Sequence, residues 1–205
     1  MKVETVALEV PSPVEDALSD KATVRQEILS RRDALDPETV QRQSALIAGH
    51  LESLGVYQKS AAVLFYLSKK NEVQTDGMIA TAIRSGKRVY VPVTGPDEIK
   101  VSELPGLDIE FDLGLYGIRQ PAQRFLKFVA PGVLDLVILP GVAFDVQGGR
   151  IGYGKGYFDR FLGKLATHTV RVGVAYEFQV LETVPQTGMD VAVQKIVTEN
   201  SILNC

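Results

Sequence analysis

Histidine and cysteine are nearly absent from this 205-residue chain, and tryptophan is wholly so. The lone cysteine, Cys205, excludes an intrachain disulfide framework and fits a reducing compartment, so a cytoplasmic location is expected. His50 and His168 stand apart without partners at ligand spacing, which argues against zinc or iron held by Cys and His. Long apolar runs are missing too. The most apolar stretch, 129–144, is broken by Pro131, Gly132, Asp135, Pro140 and Gly141 and cannot span a bilayer. Positive charge is not in excess: with a net charge of -3 and a pI near 5.5, the chain has no basic field to draw it onto nucleic acid or anionic lipid. Neither is expected as a partner, and any anion site must be local.

What is present is the composition of an ordinary soluble domain, 45% apolar and 23% charged. In residues 1–20 the apolar patch Val6-Ala7-Leu8 is hemmed by Glu4, Glu9, Glu15 and Asp16, with no basic segment before it, so it does not read as a secretory signal. These residues are expected to be a mobile leader before a single α/β domain spanning 21–205. Asp20 reads as the cap of a helix over 21–34, and Asp36-Pro37-Glu38 as the start of a second whose apolar stripe is Val40, Ile47, Leu51 and Leu54. Short β-branched and aromatic runs at 61–67, 88–93, 135–139 and 170–175 read as buried strands. Helical spacing over 76–85, closed by Gly86, and over 157–165 alternates with them. That alternation predicts an open, mostly parallel sheet flanked by helices. Residues 95–131 read as irregular loops lining a substrate site.

One segment concentrates chemistry. Gly148, Gly149, Gly152, Gly154 and Gly156 lie in a twelve-residue stretch between the third strand and a helix, with Arg150, Lys155 and Asp159 among them. Glycines allow positive φ and close approach of backbone N–H groups to phosphate oxygens, the helix start adds its dipole, and Asp159 is placed to hold magnesium on those phosphates. A Walker A test matches GxxxxGK from Gly149 to Lys155 but puts Gly156 where a metal-binding hydroxyl belongs. The dinucleotide fingerprint GxGxxG has no match. The plain alternative is a tight strand-to-helix turn with an acid suited to the helix dipole. Arg160 reads as an exposed helix charge.

The run Leu139-Pro140-Gly141-Val142-Ala143-Phe144-Asp145, then Gly148, then Arg150 to Arg160 (RIGYGKGYFDR), closely resembles the signature of the 5-formyltetrahydrofolate cyclo-ligases, the 5,10-methenyltetrahydrofolate synthetases. Landmarks in the same order are Lys21-x-x-x-Arg25, Leu67 and Glu72, Tyr116-Gly117-Ile118-x-x-Pro121, and Asp190. The resemblance covers about residues 21–198. It implies a fold similar to ribose-phosphate isomerases and CoA transferases, and an ATP- and magnesium-dependent closure of 5-formyltetrahydrofolate to 5,10-methenyltetrahydrofolate with release of ADP and phosphate. Folate and ATP are the implied small-molecule partners.

By the same resemblance, Lys21, Arg25 and the stretch Arg150, Ile151, Gly152, Tyr153, Gly154, Lys155, Gly156, Tyr157 and Phe158 bind ATP, with Lys155 and Arg150 as catalytic cations. Leu67, Glu72, Tyr116 and Tyr153 to Tyr157 form the folate side, and Asp159 and Asp190 bind magnesium. Phe158, Ile151, Gln120 and Gln194 depart from residues common in the family, and Gln194 is the departure expected to touch metal or loop organisation. Two other readings stay open: a sugar-phosphate isomerase or CoA transferase without need of ATP, and a binding protein that sequesters folate or nucleotide.

Overall fold

The computed structural model describes the backbone from Pro13 to Cys205 and side chains from Asp20 onward. Residues 1–12 of the expected leader lie outside the described residues. The remainder of that leader is helical: α1 spans Pro13–Asp33, so Asp20 sits inside the helix and is not its cap. A proline at the first helical position has no N–H to lose there and its φ suits the helix.

The amino-terminal half continues with α2 (Pro37–Ser53), α3 (Gly55–Lys59), β1 (Ala62–Leu64), α4 (Asp76–Arg84), β2 (Arg88–Thr94) and β3 (Ile99–Leu104). Next come the short strands β4 (Phe111–Leu113), β5 (Arg119–Pro121) and β6 (Phe128–Val129). The rest is β7 (Leu136–Leu139), β8 (Ala143–Asp145), β9 (Arg150–Ile151), α5 (Tyr157–Leu162), β10 (Val170–Val174), β11 (Val180–Leu181), β12 (Lys195–Val197) and β13 (Ile202–Asn204). Asp36 caps α2 as expected, accepting from the Thr39 N–H at 2.9 Å. At the end of α4, Gly86 has φ +79° and the Gly86 and Lys87 N–H groups return to Ile83 and Ala82, a helix stop that needs no side chain.

Eight strands form the main sheet in the order β13-β12-β10-β7-β1-β2-β3-β6. The five from β12 to β2 are parallel, and antiparallel strands close both edges. The four strands read from sequence are the adjacent centre of this sheet, buried on both faces, which is why they read as unbroken apolar runs. Val63, Leu136, Ile138 and Val172 face α2 and α4, packing on Ile47, Leu51, Met78 and Ile79. Leu64, Val137 and Leu139 face the other way, onto Phe144 of β8 and Phe161 and Leu162 of α5. Each fully buried side chain of this size contributes about 1.5–3 kcal/mol.

Two expectations are corrected. Residues 95–131 are not an irregular loop: they supply β3 and β6 to the main sheet and a separate β4–β5 hairpin. In β3 only Ile99, Val101, Ser102 and Leu104 are buried, so its apolar signal is that of a half-covered edge region. The helix expected over 157–165 is only the six residues of α5, ended at Gly163, so little dipole is available at its start.

Candidate active site

The glycine-rich segment is two structures, not one cradle. β8 and β9 pair antiparallel, and Gly148 and Gly149 turn the chain between them. The Gly148 N–H donates to the Asp145 carbonyl at 2.9 Å, and the Gly149 N–H to the Asp145 carboxylate at 2.8 Å. That buried carboxylate also accepts from the N–H groups of Gln147 and Val184. At Gly148 φ is +89°, and a Cβ there would lie 2.2 Å from the carbonyl oxygen of Val193. Both N–H groups are consumed inside the turn, so neither can serve an anion, which corrects the five-glycine reading. The open part is Gly152 to Gly156. Among the described residues, no backbone N–H of Tyr153, Gly154, Lys155 or Gly156 has an internal partner, and the exposed Lys155 ammonium has none either.

Helix α1 holds this loop from one side. Lys21, Arg25, Ile28 and Arg32 recur at steps of four, three and four, which places them on one helical face. That face is turned inward: Lys21, Ile28 and Arg32 are all under a tenth exposed. Ile28 packs on Val142, Ala143 and Ile151 and so seats α1 on the β8–β9 hairpin. Arg25 Nε donates to the Gly152 carbonyl at 2.8 Å, Arg32 Nη2 to the Tyr153 hydroxyl at 2.6 Å, and Lys21 Nζ pairs with the Asp190 carboxylate.

On the other side of the loop, the Tyr153 hydroxyl donates to Glu72 Oε1 at 2.6 Å, and Glu72 Oε2 accepts from the Lys69 N–H at 2.8 Å. Glu72 is buried, in the loop that follows β1. The Tyr153 ring is half exposed while its hydroxyl points inward. Burial of that hydroxyl, then the Glu72 charge, pushes the phenol well above its ordinary value near 10.0, so it keeps its proton. Tyr116 lies at the tip of the β4–β5 hairpin in the left-handed region, φ +61°, with its ring edge-on to Tyr157 at 6.1 Å. Lys69 Nζ bonds the Tyr116 carbonyl and ties that tip to the Glu72 loop.

The two expected metal carboxylates are each engaged with a cation. Arg150 Nη2 reaches Asp159 Oδ1 at 2.8 Å, and Arg150 also lies over the Phe158 ring at 5.8 Å. Asp159 Oδ1 is 3.4 Å from the N–H of Val191, next to Asp190, so the two carboxylates occupy one neighbourhood. Burial alone would raise the Asp190 carboxyl, but bonds from Lys21 and from the Thr187 N–H and hydroxyl outweigh it and hold it below its ordinary 3.8. Among the described residues, no three His, Cys, Asp or Glu side chains converge as a metal cage. Two carboxylates beside an anion loop suit magnesium, which takes one or two carboxylates and completes its shell with phosphate and water.

The sheet therefore gathers Lys21, Arg25, Arg150 to Asp159 and Asp190 around one loop, with Glu72 and Tyr116 on its far side. Leu67 is 3% exposed and packs in the main core, and Ile151 is likewise buried under α1. Arg160 is exposed as expected, with Nη1 on the Lys155 carbonyl. Gln194 caps strand pairing by accepting from the Arg171 N–H at 2.7 Å, and it does not touch the loop. Sequence reasoning missed Arg32 and Asn71, whose amide donates to the carbonyls of Arg32 and Leu35. The signal for Arg32 was the basic stripe at helical spacing. A shallow hollow of about 520 Å³ lined by Gly55, Lys59, Asp135 and His168 lies at the amino ends of β1, β7 and β10, away from all these groups.

Comparison with known proteins bears on the family and the fold. The sequence profile of the 5-formyltetrahydrofolate cyclo-ligase family matches residues 17–199. A probable 5-formyltetrahydrofolate cyclo-ligase of Caenorhabditis elegans is 30% identical over 89% of this chain and 94% of that protein. The 5-formyltetrahydrofolate cyclo-ligase of Escherichia coli is 31% identical over 85% of this chain and 98% of that protein. Among solved structures, the 5,10-methenyltetrahydrofolate synthetase of Aquifex aeolicus superimposes with a TM-score of 0.80 at 33% identity, covering 90% of this chain and 92% of that one.

Proposed function

The chain belongs to the 5-formyltetrahydrofolate cyclo-ligase family, and we propose that it converts 5-formyltetrahydrofolate and ATP to 5,10-methenyltetrahydrofolate, ADP and phosphate. The observation that carries the reading is the open Tyr153–Gly156 loop: four N–H groups and an ammonium without partners among the described residues, on a segment whose Tyr153 also reaches the buried Glu72. One short loop thus touches both an anion site and a hydrogen-bond acceptor for a heterocycle.

The triphosphate lies along that loop, its charge met by the free N–H groups, Lys155, Lys21 and Arg25. The formyl oxygen attacks the γ-phosphorus and ADP leaves. N10 then adds to the activated carbon and gives up its proton, and the oxygen departs with the phosphate as the ring closes. Neither step asks for a protein nucleophile. The protein positions the two reactants and neutralises developing charge. Glu72 accepts hydrogen bonds from the pterin, and Tyr116 and Tyr157 flank a ring.

Asp159 and Asp190 would hold magnesium, which supplies further neutralisation of the phosphates. Arg150, paired with Asp159, orients that carboxylate and adds positive charge beside it. The residues from Lys21 to Asp190 act on one site, in keeping with a single catalytic domain. An exposed, unpaired Cys205 accords with a reducing cytoplasm, and among the described residues no helix is long and apolar enough to cross a membrane.

The test is growth of methenyltetrahydrofolate absorbance in the near ultraviolet on mixing protein, 5-formyltetrahydrofolate and magnesium-ATP. Product is expected only with ATP present. Protein that binds ATP yet leaves the formyl compound unchanged would refute the assignment.

A further inference from the structure

We propose that Arg32 is a positioning residue for folate binding, acting through Tyr153 to fix the loop and the acceptor state of Glu72. The inference rests on the reading of Glu72 as the folate-side acceptor. Arg32 comes from the last turn of α1, reaches the loop through the Tyr153 side chain, and lies outside the basic pair Lys21 and Arg25 that the ATP reading uses.

The hydrogen-bond chain has one permitted direction. A guanidinium only donates, so Arg32 Nη2 gives its hydrogen to the Tyr153 oxygen at 2.6 Å. The phenol's own hydrogen must then point elsewhere, and the acceptor at 2.6 Å is Glu72 Oε1. Both bonds are short, as charge-assisted bonds are. Glu72 is thereby an acceptor with one oxygen on Tyr153 and the other on the Lys69 N–H, and it retains lone pairs for a ligand donor. Without Arg32 the phenol is free to rotate and Glu72 loses its fixed donor.

Arg32 is also not explained by folding alone. Its side chain is buried, 3% exposed, and among the described residues its Nε has no partner. Its compensation is the Glu72 carboxylate on the far side of the Tyr153 hydroxyl, and its guanidinium lies 5.7 Å from the Tyr153 ring centre. A buried cation with a buried, vacant donor is costly unless the site uses it. The end of α1 is already tied to the Glu72 loop by Asn71, which bonds the carbonyls of Arg32 and Leu35, so a second attachment through Arg32 adds orientation rather than connection.

The experiment compares Arg32→Met, Arg32→Lys, Tyr153→Phe and the double variant Arg32→Met/Tyr153→Phe, measuring kcat and KM for each substrate, with melting temperatures alongside. Arg32→Met is expected to raise KM for 5-formyltetrahydrofolate about tenfold and to leave KM for ATP within about twofold. Arg32→Lys restores part of that loss. Tyr153→Phe gives a similar rise, and the double variant is no worse than the more affected single one, because both break the same chain. An unchanged folate KM in Arg32→Met, equal rises for both substrates, or losses that multiply in the double variant would overturn the proposal. If Arg32→Met does not fold, Tyr153→Phe and Arg32→Lys carry the same test: a folate KM within twofold of the parent in both would overturn it. Failure of the parent protein to turn over at all would instead strike the cyclo-ligase reading, so the two failures are distinct.

Discussion

The two halves of the glycine-rich segment both hold glycines at positive φ and differ in where their hydrogen bonds go. From Asp145 to Gly149 the chain closes a turn in which Asp145, Gly148 and Gly149 are buried, and the Asp145 carboxylate accepts from the N–H groups of Gln147, Gly149 and Val184. From Tyr153 to Gly156 the chain is open, and among the described residues neither its N–H groups nor the Lys155 ammonium has a partner. The first half uses its hydrogen bonds in a turn, and the second leaves its N–H groups open. Glycine is needed in both, but for clearance in one and for exposure of the backbone in the other. Substitutions in the first should therefore cost stability, and substitutions in the second should cost turnover.

The largest separation is expected at Lys155. Lys155→Ala removes a full charge from the open half and should lower kcat by about a hundredfold or more, with a melting temperature within about 2 °C of the parent. Near-parental turnover would break the contrast. Next is Gly148→Ala in the closed half. The added Cβ meets the Val193 carbonyl at a positive φ, which should cost about 3 kcal/mol, or roughly 6–12 °C in a chain of this length, while turnover per folded molecule persists. Asp145→Asn is smaller, about 2 kcal/mol, since the amide keeps one acceptor oxygen and turns an NH2 group toward N–H donors. A stable Gly148→Ala protein that is inactive would mean the turn has chemistry of its own.

The smallest effect concerns the carboxylate between the two themes. Asp190 is held below 3.8 in the fold, so it binds its proton less readily there than in the unfolded chain. Its contribution to stability is present above the unfolded value and is lost as pH falls through the folded one. Melting temperature followed downward from about pH 5 should therefore fall more steeply in the parent than in Asp190→Asn. Parallel curves would remove Asp190 from the list of charges that hold α1 to the loop.

Much of the fold was legible because the four central strands are buried on both faces and read as apolar runs, and because α2 and α4 carry explicit start and stop residues. β3 and the edge strand β6 beside it were not, since half-covered strands carry a weaker pattern. The site was legible as a list and not as an arrangement. Glycine spacing could not tell a turn that consumes its N–H groups from a loop that offers them, because that depends on Asp145, Val184 and Val193 arriving from elsewhere. Arg32 was obscured for another reason: Arg31-Arg32 at a helix end reads as charges suited to the dipole, and only the Lys21, Arg25, Ile28 register marks Arg32 as inward-facing.

The central claim is that the open half of the segment serves a phosphoryl transfer coupled to folate cyclisation. Simultaneous measurement of ADP and methenyltetrahydrofolate in one reaction tests it most directly. Both are expected in equal amounts, and neither when 5-formyltetrahydrofolate or ATP is withheld. Methenyltetrahydrofolate formed without ATP, or ADP released at the same rate without folate, would contradict it.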